Sequence, residues 1–195
     1  HLYQYIDSPK AQKLLVKNLL QQNAVCFDTE TTSLNELEAE LIGMSFSYKK
    51  GLAYYIPLSE KREEVLETLE IFRPLFEKEE ILKIAHNLKF DYKVLKRYGI
   101  EVQGAIFDTM IAHYLLNPDG RHGMDYLSEI YLNYKPVSIE TLIGKGKNQV
   151  TLREVSIEEQ TNYAAEDADI TWQLYELFAP QIQKENLQDL FYKVE

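Results

Sequence analysis

Two carboxylates close the stretch Val25-Cys26-Phe27-Asp28-Thr29-Glu30-Thr31-Thr32, and their spacing is the first sign of chemistry in the chain. The run reads as a short buried strand, in which successive side chains alternate faces. Asp28 and Glu30 therefore project from one side, and Phe27 and Thr29 from the other. Neighbouring carboxylates raise each other's pKa unless a cation lies between them, so such a strand end is either solvated or a metal site. Asp-Thr-Glu alone does not decide between these, and its partners must come from elsewhere in the chain.

Two further acids are placed to join them. Asn87 is a candidate N-cap for a helix that follows an apolar strand, and Asp91 falls in the first turns of that helix. That position lies at the carboxyl end of a strand, where open α/β sheets gather their ligands. An Asp there also has the simpler role of stabilising a helix N-terminus through the macrodipole. In Tyr163-Ala164-Ala165-Glu166-Asp167-Ala168-Asp169, Tyr163 and Asp167 are four apart and share one helix face, flanked by Ala164 and Ala168. Small flanks allow close approach to another element, and a buried Asp167 then needs a partner, because a lone buried charge is very costly. Glu166 and Asp169 are expected to point elsewhere, into solvent. Asp28, Glu30, Asp91 and Asp167 form a set that suits cations with all-oxygen coordination. Two such cations about 3.5 to 4 Å apart can activate a water on one side of a phosphorus and stabilise the leaving oxygen on the other. Cys26 lies in an apolar strand and His113 and His122 read as structural, so a nucleophilic triad has no support.

The elements that must position these residues are legible from periodicity. Ser8 and Pro9 open an amphipathic helix over 8–20, followed by the acidic strand. Residues 41–48 alternate as a second strand, Lys49-Lys50-Gly51 turns the chain, and 52–56 form a third strand stopped by Pro57. These three make a meander. A helix over 61–76 is expected to kink or split near Pro74. Strands at 81–85 and 105–107, each followed by a helix (88–98, closed by Gly99, and 109–116), add in parallel. Beyond a helix at 124–132, residues 135–136 and the cationic, glycine-rich 144–149 read as loops. Ser156 and Glu159 form a capping box for a long helix reaching about 178, and Pro180 separates it from a last helix over 181–192.

The 195 residues, 45% of them hydrophobic, are enough for one globular domain with a substantial core and show no membrane span. A single cysteine excludes an internal disulfide framework and fits a reducing compartment, the cytoplasm. The start at His1 has neither a signal-like apolar run nor an initiating Met, and the chain is expected to be a fragment of a longer one. A net charge of −10 argues against a broad basic surface for duplex nucleic acid, yet leaves room for a strand end held through divalent cations.

The Asp-x-Glu, Asn-x-x-x-Asp and Tyr-x-x-x-Asp triplet resembles the motifs of the DEDD superfamily of 3′-5′ exonucleases, in the subgroup with Tyr before the last Asp. Five segments together resemble the proofreading domain of bacterial DNA polymerase I: Phe27-Asp28-Thr29-Glu30-Thr31, His86-Asn87-Leu88-Lys89-Phe90-Asp91, Phe107-Asp108-Thr109-Met110, Gly144-Lys145-Gly146-Lys147-Asn148-Gln149 and the Tyr163 to Asp169 run. The likeness covers nearly the whole chain. It implies an α/β, ribonuclease H-like fold with a mixed five-stranded sheet flanked by helices, and a polymerase domain in the same parent chain. It also implies two divalent cations, Mg²⁺ or Mn²⁺ with Zn²⁺ admissible. By the resemblance Asp28, Glu30 and Asp167 hold the first cation, Asp28 bridges to the second, and Asp91 holds the second through water. Tyr163 and Glu30 would orient the attacking water. Leu34 matches an apolar wedge against the terminal base, and Thr29, His86, Asn87, Phe90 and Arg121 match positions near the substrate strand. Where the family stacks an aromatic residue on a base, this chain has Ile139, which offers an apolar contact instead. Lys145 and Lys147 are either phosphate contacts or a solvated loop. The expected activity is removal of nucleotides from single-stranded DNA 3′ ends by a monomer. The alternatives are a ribonuclease D-like RNA exonuclease and a catalytically silent scaffold or strand-binding domain.

Overall fold

Alternation and helical spacing assemble into a mixed sheet sandwiched by helices in the computed structural model, which describes residues 1–146 and 149–193. The six strands are β1 (Leu2–Tyr5), β2 (Ala24–Thr31), β3 (Leu41–Lys49), β4 (Leu52–Pro57), β5 (Leu82–Ala85) and β6 (Ile106–Asp108), in the order β1-β4-β3-β2-β5-β6. β2, β3 and β4 form the antiparallel meander, β5 and β6 add in parallel beside β2, and β1 pairs in parallel with β4 at the far edge. All five strands read from the sequence are present. β1 is the addition: its four residues, Leu-Tyr-Gln-Tyr, are only partly buried and lack the apolar run that marks β5. Its place is fixed by distant partners: the Tyr3 hydroxyl donates to Asp169, which also accepts from the Gly51 amide.

The helices divide between the two faces. α1 (Pro9–Leu19), α2 (Arg62–Glu77) and α3 (Leu88–Arg97) pack with Val25, Phe27, Met44 and Phe46 into the larger core. Ser8 caps α1 by accepting from the Ala11 amide, as its sequence position implied. On the other face lie α4 (Thr109–Leu116) and α5 (Met124–Leu127), the latter prolonged by a π-helical turn over Ser128–Leu132. α6 (Ile139–Ile143) follows, then α7 (Ile157–Lys184) and α8 (Gln188–Lys193). α7 crosses β1 to β5 and carries Ile170, Leu174, Phe178 and Ile182 into the second core with Cys26, Ile84 and Phe107.

Two prolines do less than expected. α2 runs unsplit through Pro74 and α7 runs through Pro180 to Lys184, so the last helix is only the short α8. Each proline forfeits one backbone hydrogen bond near a helix end. Burial of Phe72, Leu75 and Phe76 on α2, and of Phe178 and Ile182 on α7, outweighs that loss. Asn87 is likewise not a side-chain cap: it takes the left-handed conformation (φ 62°) and makes no capping bond. The start of α3 is held instead by the Asp108 carboxylate, which accepts from the Asn87 and Leu88 amides. Asp108 also caps α4 through the Met110 and Ile111 amides, so one buried acid closes two helices.

Candidate active site

The alternation of β2 puts Asp28 and Glu30 on the face crossed by α7, while Phe27 turns into the opposite core. Ala164 and Ala168 are fully buried, and the absence of side-chain bulk lets α7 lie close over the strand. That approach delivers Asp167: one carboxylate oxygen from each of Asp28, Glu30 and Asp167 lies within 4.8 Å of the others. Asp28 and Asp167 keep part of their surface open, and Glu30 is 9% exposed. One Glu30 oxygen, Oε1, is buried with no hydrogen-bond partner among the described residues. Asp91 approaches from α3 on the other side of β2; it belongs neither to this trio nor to the cleft lining, although the charge of Asp28 is felt there. Its Oδ1 accepts from the Thr29 amide at 3.1 Å and the Thr29 hydroxyl at 2.5 Å.

Beneath Glu30 the sheet makes room for a tyrosine. Gly43 pairs with Glu30, and a Cβ on Gly43 would lie 2.4 Å from the Tyr55 ring. The Tyr55 hydroxyl donates to Gln160 of α7, so ring and helix wall the site on that side. A register shift after Glu30 ends the regular ladder of β2 and β3, beside a cleft of about 470 Å³. Asp28, Thr29, Glu30, Tyr163 and Asp167 line it, together with the apolar Leu34, Phe90, Ile139, Ile143 and Leu152. Leu34 is 93% exposed at the rim.

The electrostatics are those of carboxylates crowded in a low-dielectric place. Burial first, then the charge of Asp167, raises the Asp28 pKa well above the ordinary range. Burial and then Asp28, Asp167 and Asp91 do the same to Glu30. Asp91 is raised by burial and by Asp28, against the two Thr29 hydrogen bonds that favour its charge. Asp167 is pushed up to about 8 by burial, Glu166 and Asp125, with the Tyr163 hydroxyl beside it pulling the other way. Burial and the surrounding acids raise the Tyr163 phenol too, so it stays a neutral hydroxyl.

Other residues singled out in the sequence sit differently. His86 is buried away from the cleft lining, bonded through Nδ1 to the Thr109 hydroxyl, with Nε2 unpartnered among the described residues. Burial lowers its pKa to about 4, which keeps the ring neutral. Asn87 and Arg121 are exposed and outside the lining, and Lys145 pairs with Glu140 at 2.5 Å. Lys147 lies outside the described residues. Glu166 and Asp169 are not solvated, contrary to expectation, but buried and bonded. Glu166 accepts from the Tyr134 hydroxyl (2.5 Å) and the Val137 amide (2.8 Å), and Asp169 from Tyr3 and Gly51. Their partners are far away in the chain, and no local pattern announces them. His113 and His122 are structural in the sense expected, bonded to each other at 2.7 Å.

A family model described as 3′-5′ exonuclease matches residues 3–183. The chain belongs to the 3′-5′ exonuclease family. It is 37% identical over 184 residues to DNA polymerase I of Borreliella burgdorferi, covering 93% of this chain and 20% of that protein. It is 39% identical over 187 residues to DNA polymerase I of Chloroflexus aurantiacus, again covering 93% and 20%. The chain thus spans about a fifth of the length of these relatives. Among solved structures, Brucella melitensis NrnC superposes with a TM-score of 0.72 at 23% identity, covering 95% of this chain and 83% of that one. The catalytic core of RRP6 from Trypanosoma brucei gives 0.76 at 19% identity, covering 97% and 49%. These likenesses show a shared fold, ribonuclease H-like, with a mixed sheet flanked by helices. No helix of the described residues is long and apolar enough to cross a membrane.

Proposed function

We propose that residues 1–195 form a single 3′-5′ exonuclease domain that removes nucleotides from single-stranded DNA 3′ ends, within the cytoplasmic chain of a DNA polymerase I. The observation that carries this reading is the trio of Asp28, Glu30 and Asp167 at the floor of an apolar-walled cleft. The donor set fits divalent cations. It is all carboxylate oxygen, its members are held together against their own repulsion, and Glu30 Oε1 is buried without a protein partner. Asp28, Glu30 and Asp167 would hold a first Mg²⁺ or Mn²⁺, and Asp28 with Asp91 a second. Such ions, when bound, make water a competent nucleophile near neutral pH and offset charge on the leaving oxygen.

The chain's own residues account for the remainder. Tyr163, kept neutral by burial, offers a hydroxyl that orients the attacking water, with the Glu30 carboxylate as its acceptor. Leu34, Phe90 and Ile139 give the terminal base an apolar wall, a contact that is indifferent to base identity. No covalent enzyme intermediate is needed, and Cys26 is unsuited to form one, being buried with its thiol pKa raised. DNA rather than RNA is favoured because the relatives with 37% and 39% identity are DNA polymerases I. The test is a 5′-labelled oligonucleotide in DNA and RNA versions. Stepwise shortening of the DNA from its 3′ end with Mn²⁺, abolished by chelator, is the expected result. Preferential trimming of the RNA would overturn the substrate assignment.

A further inference from the structure

Thr29 occupies the middle of Asp28-Thr29-Glu30, and its side chain leaves the strand on the face opposite the two acids. On that face it meets Asp91. Both donors of Thr29 converge on a single atom: the amide at 3.1 Å and the hydroxyl at 2.5 Å from Asp91 Oδ1. Both residues are buried, Thr29 at 7% exposure and Asp91 at 3%, so water does not compete freely for these bonds. A carboxylate on a helix turns about two side-chain torsions, and two donors on one oxygen leave it little choice of plane. The other oxygen, Oδ2, stays outside the clamp.

We propose that Thr29 is a positioning residue: its hydroxyl is committed to Asp91 and sets the distance between the helix-borne carboxylate and the strand-borne pair. This rests on the reading of the cluster as a divalent-cation site. Asp28 and Glu30 are fixed by the strand, whereas Asp91 comes from α3, packed on the other face of the sheet. Thr29 joins the two supports, because its amide belongs to the strand that carries the acids and its hydroxyl reaches across to α3. A hydroxyl engaged in this way is not free to bind a substrate phosphate.

Thr29→Val retains the branched shape and the amide donor but replaces the hydroxyl with a methyl, while Thr29→Ser retains the hydroxyl. Mn²⁺ titration calorimetry on the chain is the readout, with melting curves to verify folding. We expect Thr29→Val to weaken Mn²⁺ binding about tenfold or more, the loss typical when a partner that orients a metal ligand is removed. Thr29→Ser should bind nearly as the parent does. In an Asp91→Asn background Thr29→Val should add no further loss, since the group that it orients has already changed. If Thr29→Val does not fold, Thr29→Ala makes the same comparison without a methyl against the carboxylate. Unchanged Mn²⁺ affinity in a folded Thr29→Val or Thr29→Ala variant, with a raised KM for the oligonucleotide, would make Thr29 a substrate contact and overturn the proposal. Equal losses in the Val and Ser variants, or an undiminished loss in the Asp91→Asn background, would reduce it to a packing residue. A parent chain that binds no Mn²⁺ would overturn the cation-site reading and this inference with it.

Discussion

Each residue at the cleft carries a different share of the proposed chemistry, and substitutions should separate those shares. Asp28 is the carboxylate that the proposal assigns to both cation loci, so Asp28→Ala should cause the largest loss of single-turnover rate, with Asp167→Ala close behind. Asp91→Ala should resemble them more than it resembles Tyr163→Phe. That last variant removes only a neutral hydroxyl, and a loss on the order of 10²-fold is typical of one positioned polar group. Asp28→Ala, Asp167→Ala and Tyr163→Phe should remain folded, because trimming a group at an open cleft leaves no core cavity, whereas Asp91→Ala leaves two buried Thr29 donors without their acceptor and should melt lower than the parent. A folded Tyr163→Phe slower than a folded Asp28→Ala would mean that the water and cation roles are assigned wrongly. The residues behind these predictions were legible because their relations are local. Period-two alternation paired Asp28 with Glu30, and helical spacing paired Tyr163 with Asp167. Asp108, Glu166 and Asp169 were not legible, since each is defined by partners remote in sequence: the Leu88 amide, Tyr134 and Tyr3 respectively.

Among the elements, periodicity and capping chemistry located the five core strands and the helices around them, but edges and prolines escaped it. β1 has only a long-range reason to exist, and the helical paths through Pro74 and Pro180 are decided by burial rather than by propensity. The junction of α3 and α4 depends on Asp108 in a way that can be measured. Its carboxylate accepts four amide donors across two helix starts, and removing it leaves both without a cap. With about 0.5–2 kcal/mol per lost cap and two caps lost, Asp108→Ala should lower unfolding stability by roughly 1–4 kcal/mol in a denaturant titration. A loss under about 0.5 kcal/mol, the scale of an ordinary surface substitution, would contradict the double cap. β3 offers a second case at Gly43. Its Cβ would meet the Tyr55 ring at 2.4 Å, so Gly43→Ala must displace either the ring or the strand under Glu30. Gly43→Ala should therefore melt lower than the parent, and adding Tyr55→Leu should recover part of the loss. A double variant no better than Gly43→Ala alone would place the strain elsewhere.

For the whole molecule, folding gathers acids that the unfolded chain keeps apart, on a chain whose net charge is already −10. The Asp28, Glu30, Asp91 and Asp167 carboxyls all have pKa values raised by burial and by one another or their neighbours. A carboxyl raised on folding contributes its stability fully below its unfolded pKa and loses it as pH rises through the folded one. For Asp167 that window opens near the ordinary Asp value of about 3.9 and closes near about 8. Without cations, the cluster should therefore weigh increasingly against the fold between about pH 5 and about pH 8. Divalent cations that bind as proposed, to the ionised cluster of the folded state and not to the dispersed acids of the unfolded chain, should reverse that loss. Melting curves at about pH 5 and about pH 8, in chelator and in millimolar Mn²⁺, measure both effects. We expect a clear rise in melting temperature with Mn²⁺ at the higher pH and a much smaller one at the lower, where protons already occupy the carboxyls that the cation would need. Asp167→Asn removes one titrating member, so it should flatten the pH dependence in chelator and shrink the Mn²⁺ gain at the same time. A Mn²⁺ gain as large at about pH 5 as at about pH 8 would show that the stabilising ion binds somewhere other than these carboxylates.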